Sequence, residues 1–214
     1  MSKPLSIVVL ISGSGTNLQA IIDGMQNGKL PINIRAVISN RPDAQGLQRA
    51  EKAGIKTVVI DHKQYDSRDS FDAEMQKTID SYSPELVVLA GFMRILTEDF
   101  VEHYLGRMLN IHPALLPNFP GINTHERAIE SAVQEHGASV HFVTTEVDGG
   151  PIVMQVRVPV LEGDTAEQLA ARVLEREHDI FPEAIRLYAE GKIRMDDNKV
   201  LLNGEALPQG GIDY

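Results

Sequence analysis

The 214-residue chain has no cysteine, which excludes disulfides, thiolate metal sites and thiol nucleophiles. It is also short of positive charge: 20 Lys and Arg stand against 30 Asp and Glu, for a formal net charge of −10. A general nucleic-acid or anionic-membrane surface needs a basic face, so neither partner is expected. An anionic small molecule needs only a local pocket and stays open. No apolar run reaches the roughly 18 to 20 residues of a membrane-spanning helix. The opening stretch MSKPLSIVVLIS has too short an apolar region for a signal peptide, so it reads as a buried first strand in a cytoplasmic protein. Two catalytic signatures are missing as well. There is no H-E-x-x-H and no histidine pair at i, i+4 spacing, as a zinc hydrolase would show. There is no G-x-S-x-G, as a serine hydrolase would show.

What is present is an alternation. LSIVVLIS (5–12), INIRAVIS (32–39), KTVVID (56–61), LVVLAG (86–91) and RMLNIH (107–112) are nearly continuous β-type runs. Such runs suit strands buried on both faces of a parallel sheet. Between them lie helical patterns, with Leu18, Ile21, Ile22 and Met25 at helical spacing in the first and Gly54 closing the second. The fold class is therefore α/β: a three-layer, mostly parallel, doubly wound sheet. After residue 112 the rhythm breaks. A proline-rich loop leads to THERAIESAVQEHG (124–137), which predicts a helix with Thr124 as N-cap and Gly137 just past its end. On that helix His125 and His136 would be solvated or capping. SVHFVTTEV and PIVMQVRVPV then flank DGG like a hairpin with a tight turn, which brings an antiparallel strand into the second half and puts His141 on a strand face. A long helix follows from about Thr165, with a kink expected at Pro182. Two short strands surround Asp196–Asn198.

ISGSGTN (11–17) joins the first strand to the first helix. Ligands of open α/β sheets bind at this end of the strands, and the exposed N–H groups of a helix start can hold a phosphate without any lysine. A dinucleotide fingerprint would need glycine at position 18, which is Leu18, and an acid after the second strand, where Asn40 stands. The P-loop lysine is absent too. The loop is either a plain strand-to-helix turn or the seat of an isolated phosphate group.

Asn110 and His112 fall two apart on a strand, so they point to the same face. An amide N–H can stabilise a developing oxyanion, and an imidazole can move a proton near neutral pH. Asp148, in EVDGGP, is either a plain turn residue or a carboxylate that orients His112 and favours its charged form.

LNIHPALLPNFPG, GASVHFVTTEVDGGPIV, ISGSGTN and LAGFMRIL together make the chain similar to the folate-dependent formyltransferases over nearly its whole length. The resemblance implies an enzyme that passes the formyl group of 10-formyltetrahydrofolate, as co-substrate, to the amine of phosphoribosylglycinamide in de novo purine (IMP) biosynthesis. No metal is implied. Asn110 would bind the formyl oxygen, His112 would be the general acid, and Asp148 would tune and orient it. Gly15, Thr16 and Asn17 match the loop for the ribonucleotide phosphate, and Glu177 matches a contact to the same substrate. Arg68, Met93, Arg94, Ile95, Leu96 and Asn110 match positions around the formyl-folate. Leu116–Pro117 matches a cis peptide. One domain over 1–214 is expected, with a Rossmann-like phosphate-binding half (1–105) and a catalytic, folate-binding half (106–214), as a monomer or weak homodimer. Methionyl-tRNA formyltransferase shares the Asn, His and Asp set, but it has a further domain and must attract RNA. Formyltetrahydrofolate hydrolase would need an added amino-terminal domain. A sugar-nucleotide formyltransferase explains the phosphate loop less well. A non-catalytic nucleotide-binding module conflicts with the missing glycine and acid.

Overall fold

LSIVVLI forms β1 (Leu5–Ile11), and Ile7 through Ile11 are wholly buried. A strand with apolar residues on both faces must sit inside a sheet. In the computed structural model, which describes residues 3–214, β1 lies between two parallel partners, β2 (Ile32–Ser39) and β4 (Leu86–Leu89). β3 (Thr57–Val59) pairs parallel with β2 and completes the order β3-β2-β1-β4. The expected strand 56–61 is thus cut to three residues. It is an edge strand with Val59 43% exposed, and not a doubly buried one. The connections are α1 (Thr16–Gln26), α2 (Gln45–Lys52) and α3 (Arg68–Ser81), and α4 (Glu98–His103) follows β4. Local chemistry sets their ends. Ser67 and Ser70 form a capping box on α3, and Thr97 accepts the Phe100 N–H at the start of α4.

These elements make up the first of two compact units, which runs to Leu109; the second runs from Asn110. β5 (Met108–His112) straddles the division. The second unit contains α5 (Thr124–Glu130), β6 (Glu135–Phe142), β7 (Ile152–Pro159) and α6 (Ala166–Ala189). Its strand order is β5-β6-β7-β11, with β6 and β7 antiparallel and β11 (Ile212–Asp213) parallel to β7. α6 packs on β6 and β7. Its buried stripe of Leu169, Val173, Glu177, Ile180, Ala184 and Ile185 follows the helical period. The helix continues through Pro182. β8 (Ile193–Asp196), β9 (Lys199–Leu202) and β10 (Glu205–Ala206) form a separate antiparallel sheet. Asp197 and Asn198 both have positive φ between β8 and β9, as a two-residue hairpin turn requires. Among the described residues no helix is long and apolar enough to cross a membrane.

Two expectations need correction. The helix predicted over 124–137 ends at Glu130, its N-cap is Asn123, and His136 and Gly137 lie on β6. The stop is a Schellman turn: Ala132 N–H donates to Ile129 O and Val133 N–H to Ala128 O, with Ala132 at φ 50. The same turn closes α2 at Gly54, where glycine makes it visible in the sequence. Gly137 serves another purpose, since a Cβ there would collide with the Val156 carbonyl oxygen on the facing strand. The second correction concerns the hairpin. The β6–β7 connection is the loop 143–151 and not a tight turn at DGG.

Gly137→Ala is therefore expected to force the β6–β7 pair apart. A loss of about 1–3 kcal/mol, typical of overpacking, should lower the urea midpoint without changing the denaturant slope. An unchanged midpoint would mean that the strands do not approach this closely.

Candidate active site

Asn110 and His112 emerge from β5 on one face, and the buried Ile111 points the other way. The proline-rich loop then folds back. Leu116–Pro117 is cis, and the Phe119 carbonyl oxygen comes to 2.9 Å from His112 Nε2. Asp148 arrives from the 143–151 loop at φ 53. Its Oδ2 lies 3.4 Å from His112 Nδ1 and accepts the Gly121 N–H at 2.8 Å. Its Oδ1 lies 3.7 Å from Nε2 of His141, on β6. The Asn110 amide nitrogen stands 3.1 Å from the same His141 Nε2. One carboxylate, two imidazoles and one amide thus form a cluster in which His112 and His141 are 5% and 2% exposed.

Hydrogen-bond direction fixes most of the protons. His141 Nδ1 faces the Phe142 carbonyl oxygen at 2.9 Å, so Nδ1 carries the hydrogen. With that tautomer Nε2 can accept from the Asn110 amide, which orients the amide and leaves it a second N–H. His112 sits between two acceptors, the Phe119 oxygen and Asp148. Neither neutral tautomer can donate to both; the imidazolium can. Burial opposes that charge and is the stronger effect, so the His112 pKa lies below its ordinary value although the Phe119 carbonyl and Asp148 both push it up. Burial alone would raise Asp148. The facing ring of His141, the Gly121 N–H and the nearby His112 together outweigh it and hold the carboxylate below its usual range. The outcome is a carboxylate held below its usual range beside an imidazole whose charged form burial disfavours and the carboxylate supports, with an amide on the same face.

In the first unit, Gly15 is the N-cap of α1 at φ 71 and supplies no side-chain cap. A glycine N-cap brings no side chain over the helix start, and the first turn holds no acid. That is the setting in which a helix start attracts a phosphate. A Cβ on Gly15 would lie 2.5 Å from the Gly46 Cα on α2, so close approach and left-handed backbone both demand glycine. Arg49, also on α2, donates to the Ser14 carbonyl at 2.8 Å and puts a positive charge at the loop. Arg68 opens α3, and Met93 to Leu96 lie in the irregular segment before α4. Glu177 is buried on α6.

The structure thus gathers Asn110, His112 and Asp148, and sets Gly15, Thr16 and Asn17 at one helix start. Sequence reasoning missed His141, the Phe119 carbonyl, Gly46 and Arg49. For His141 a signal existed: like Asn110, it is a polar residue among apolar neighbours on a buried strand. Backbone groups and the approach of α2 to the loop leave no such mark. Among the described residues no group of three or more His, Asp or Glu is arranged to hold a metal ion.

The family model described as formyl transferase matches residues 5–185. The chain belongs to the formyl transferase family. It is 52% identical to the phosphoribosylglycinamide formyltransferase of Escherichia coli K12, covering 97% of this chain and 98% of that one. It is 47% identical to part of the human trifunctional purine biosynthetic protein adenosine-3, covering 92% of this chain and 19% of that protein. The solved phosphoribosylglycinamide formyltransferase of Coxiella burnetii, in complex with CHES, superposes with a TM-score of 0.95 at 53% identity, covering 99% of both chains.

This formyl transferase also buries histidines that the sequence placed on an exposed helix. His136 is 1% exposed on β6 and packs edge-on against Phe119 and His125, at ring distances of 5.8 and 5.2 Å. Burial pushes its pKa down to about 4. The folded pKa lies below the unfolded one, so the fold resists protonation. Stability present above pH 6.5 is lost as the pH falls towards 4, and the loss is complete below that. The span from 6.5 to about 4 amounts to about 3 kcal/mol. His112 and His125 shift in the same direction and add to the slope. His136→Phe should therefore shrink the stability lost between pH 7 and pH 4 by about 3 kcal/mol, read from urea unfolding at the two pH values. A wild-type slope would show that His136 is not buried neutral.

Proposed function

We propose that this chain catalyses transfer of the formyl group of 10-formyltetrahydrofolate to the amine of phosphoribosylglycinamide, a step of purine biosynthesis. The observation that carries the reading is the Asn110, His112 and Asp148 cluster, set in a chain that matches phosphoribosylglycinamide formyltransferases end to end. The substrates are small molecules, and the folate is a co-substrate. We place the reaction in the cytoplasm, in keeping with a chain that has no cysteine.

The chemistry follows from what each group can donate. The amine nitrogen attacks the formyl carbon, a C–N bond forms, and negative charge gathers on the formyl oxygen. The second N–H of Asn110, held in place by His141, donates to that oxygen, and protonated His112 adds a charged donor. Collapse breaks the bond between the formyl carbon and N10. N10 leaves with a proton from His112, and the attacking nitrogen gives one up, so the imidazole returns to its starting state. Asp148 stays ionised and holds the ring. The remaining roles are binding roles. The start of α1 at Gly15, Thr16 and Asn17 takes the phosphate, with the Arg49 charge close by. Arg68 and the segment Met93–Leu96 take the folate, and Glu177 takes the ribonucleotide. Anchoring both substrates away from the reacting atoms lowers the entropic barrier.

An assay of formyl transfer from 10-formyltetrahydrofolate to phosphoribosylglycinamide tests the reading. Folate turnover should require the acceptor; turnover that ignores it would make the protein a hydrolase. In the same assay Asn110→Ala should lower kcat by about 10²–10³, with thermal stability nearly unchanged. Full activity in that variant would remove Asn110 from the mechanism.

A further inference from the structure

The segment from β4 to α4 has no regular structure, yet it turns apolar side chains outward: Met93 is 70% and Ile95 59% exposed. Holding such a segment in one conformation is entropically costly. Two buried polar side chains oppose that cost, one at each end. Ser12, 4% exposed, donates its N–H to the Gly91 carbonyl at 3.1 Å, and its hydroxyl accepts the Met93 N–H at 2.8 Å. The hydroxyl proton goes to Asn40 Oδ1 at 2.6 Å, so the lone pairs are turned towards Met93. Asn40 stands where a dinucleotide fold would carry its ribose-binding acid; here it orients Ser12. At the far end Asp72 on α3, 2% exposed, accepts the Thr97 N–H at 2.6 Å, at the residue that caps α4. Between the two anchors the Arg94 guanidinium lies 5.4 Å from the centre of the Phe71 ring. Burial raises the Asp72 pKa, against the Thr97 N–H and the charges of Arg94 and Arg68.

We infer that Ser12 and Asp72 are positioning residues for the formyl-folate, fixing the two ends of the Met93–Leu96 segment so that its apolar side chains meet the co-substrate already ordered. The inference rests on the reading that this segment holds the folate. A binding segment that is ordered beforehand spares the ligand the cost of ordering it. Neither residue touches the reacting atoms, so the effect belongs in KM for one substrate.

Steady-state kinetics with both substrates varied tests this. Ser12→Ala and Asp72→Ala should each raise KM for 10-formyltetrahydrofolate about 10-fold, the scale of one lost buried or charge-assisted hydrogen bond. KM for the ribonucleotide and kcat should stay within about 2-fold. Ser12→Thr and Asp72→Asn keep an acceptor and should recover most of the loss, which a generally weakened fold would not do. Ser12→Ala removes a single oxygen and carries the test if Asp72→Ala does not fold. Equal rises in both KM values, an unmoved folate KM, or no recovery in the conservative variants would overturn the inference. Ile95→Ala separates the two levels. If it leaves the folate KM unchanged, the segment does not hold the folate and both readings fall. If it raises the folate KM while Ser12→Ala and Asp72→Ala do not, the anchoring alone is wrong.

Discussion

The Asp148 carboxylate accepts the Gly121 N–H and faces the rings of His112 and His141. Three stretches of chain depend on that one side chain. The proline-rich loop is tied through Gly121, and its Phe119 carbonyl holds the other nitrogen of His112. The 143–151 loop must deliver Asp148 at φ 53, and it does so between strands packed closely enough that a Cβ on Gly150 would collide with the Phe142 carbonyl oxygen. Through His141 the arrangement reaches the Asn110 amide. An imidazole buried without such a partner would simply stay neutral. With one, the carboxylate works against burial and holds the proton better than burial alone would allow.

The two units divide the work differently. In the second, charged and polar side chains are buried together, and their mutual orientation is the chemistry. In the first, the features proposed for binding are a glycine-capped helix start and an irregular segment held by Ser12 and Asp72. Both devices present groups that are already fixed, so binding does not have to order them.

How much of this could be read from the residues depended on how local the cause was. The strands β1 and β4 are nearly unbroken apolar runs, β2 becomes one after Arg35, and α6 announces itself by its apolar period and its Thr165 cap. The cluster was legible because Asn110 and His112 are costly residues for a buried strand, and Asp148 precedes two glycines. The end of α5 was not legible, because an alanine occupies the left-handed position that glycine usually marks. Nor was the burial of His136, which follows from strand pairing, or the hold of Gly46 and Arg49 on the glycine loop before α1, which comes from chain far off in sequence. Such tertiary contacts carry no period and no local signature.

The central claim is that Asp148 keeps His112 able to hold a proton in spite of its burial. Titration of the His112 ring nitrogens by NMR, in the ligand-free protein and in Asp148→Asn, measures this directly. The account predicts a wild-type pKa below the ordinary histidine value and a lower one still in Asp148→Asn, where burial is left unopposed by the carboxylate. A His112 pKa that is unmoved or raised in Asp148→Asn would contradict it.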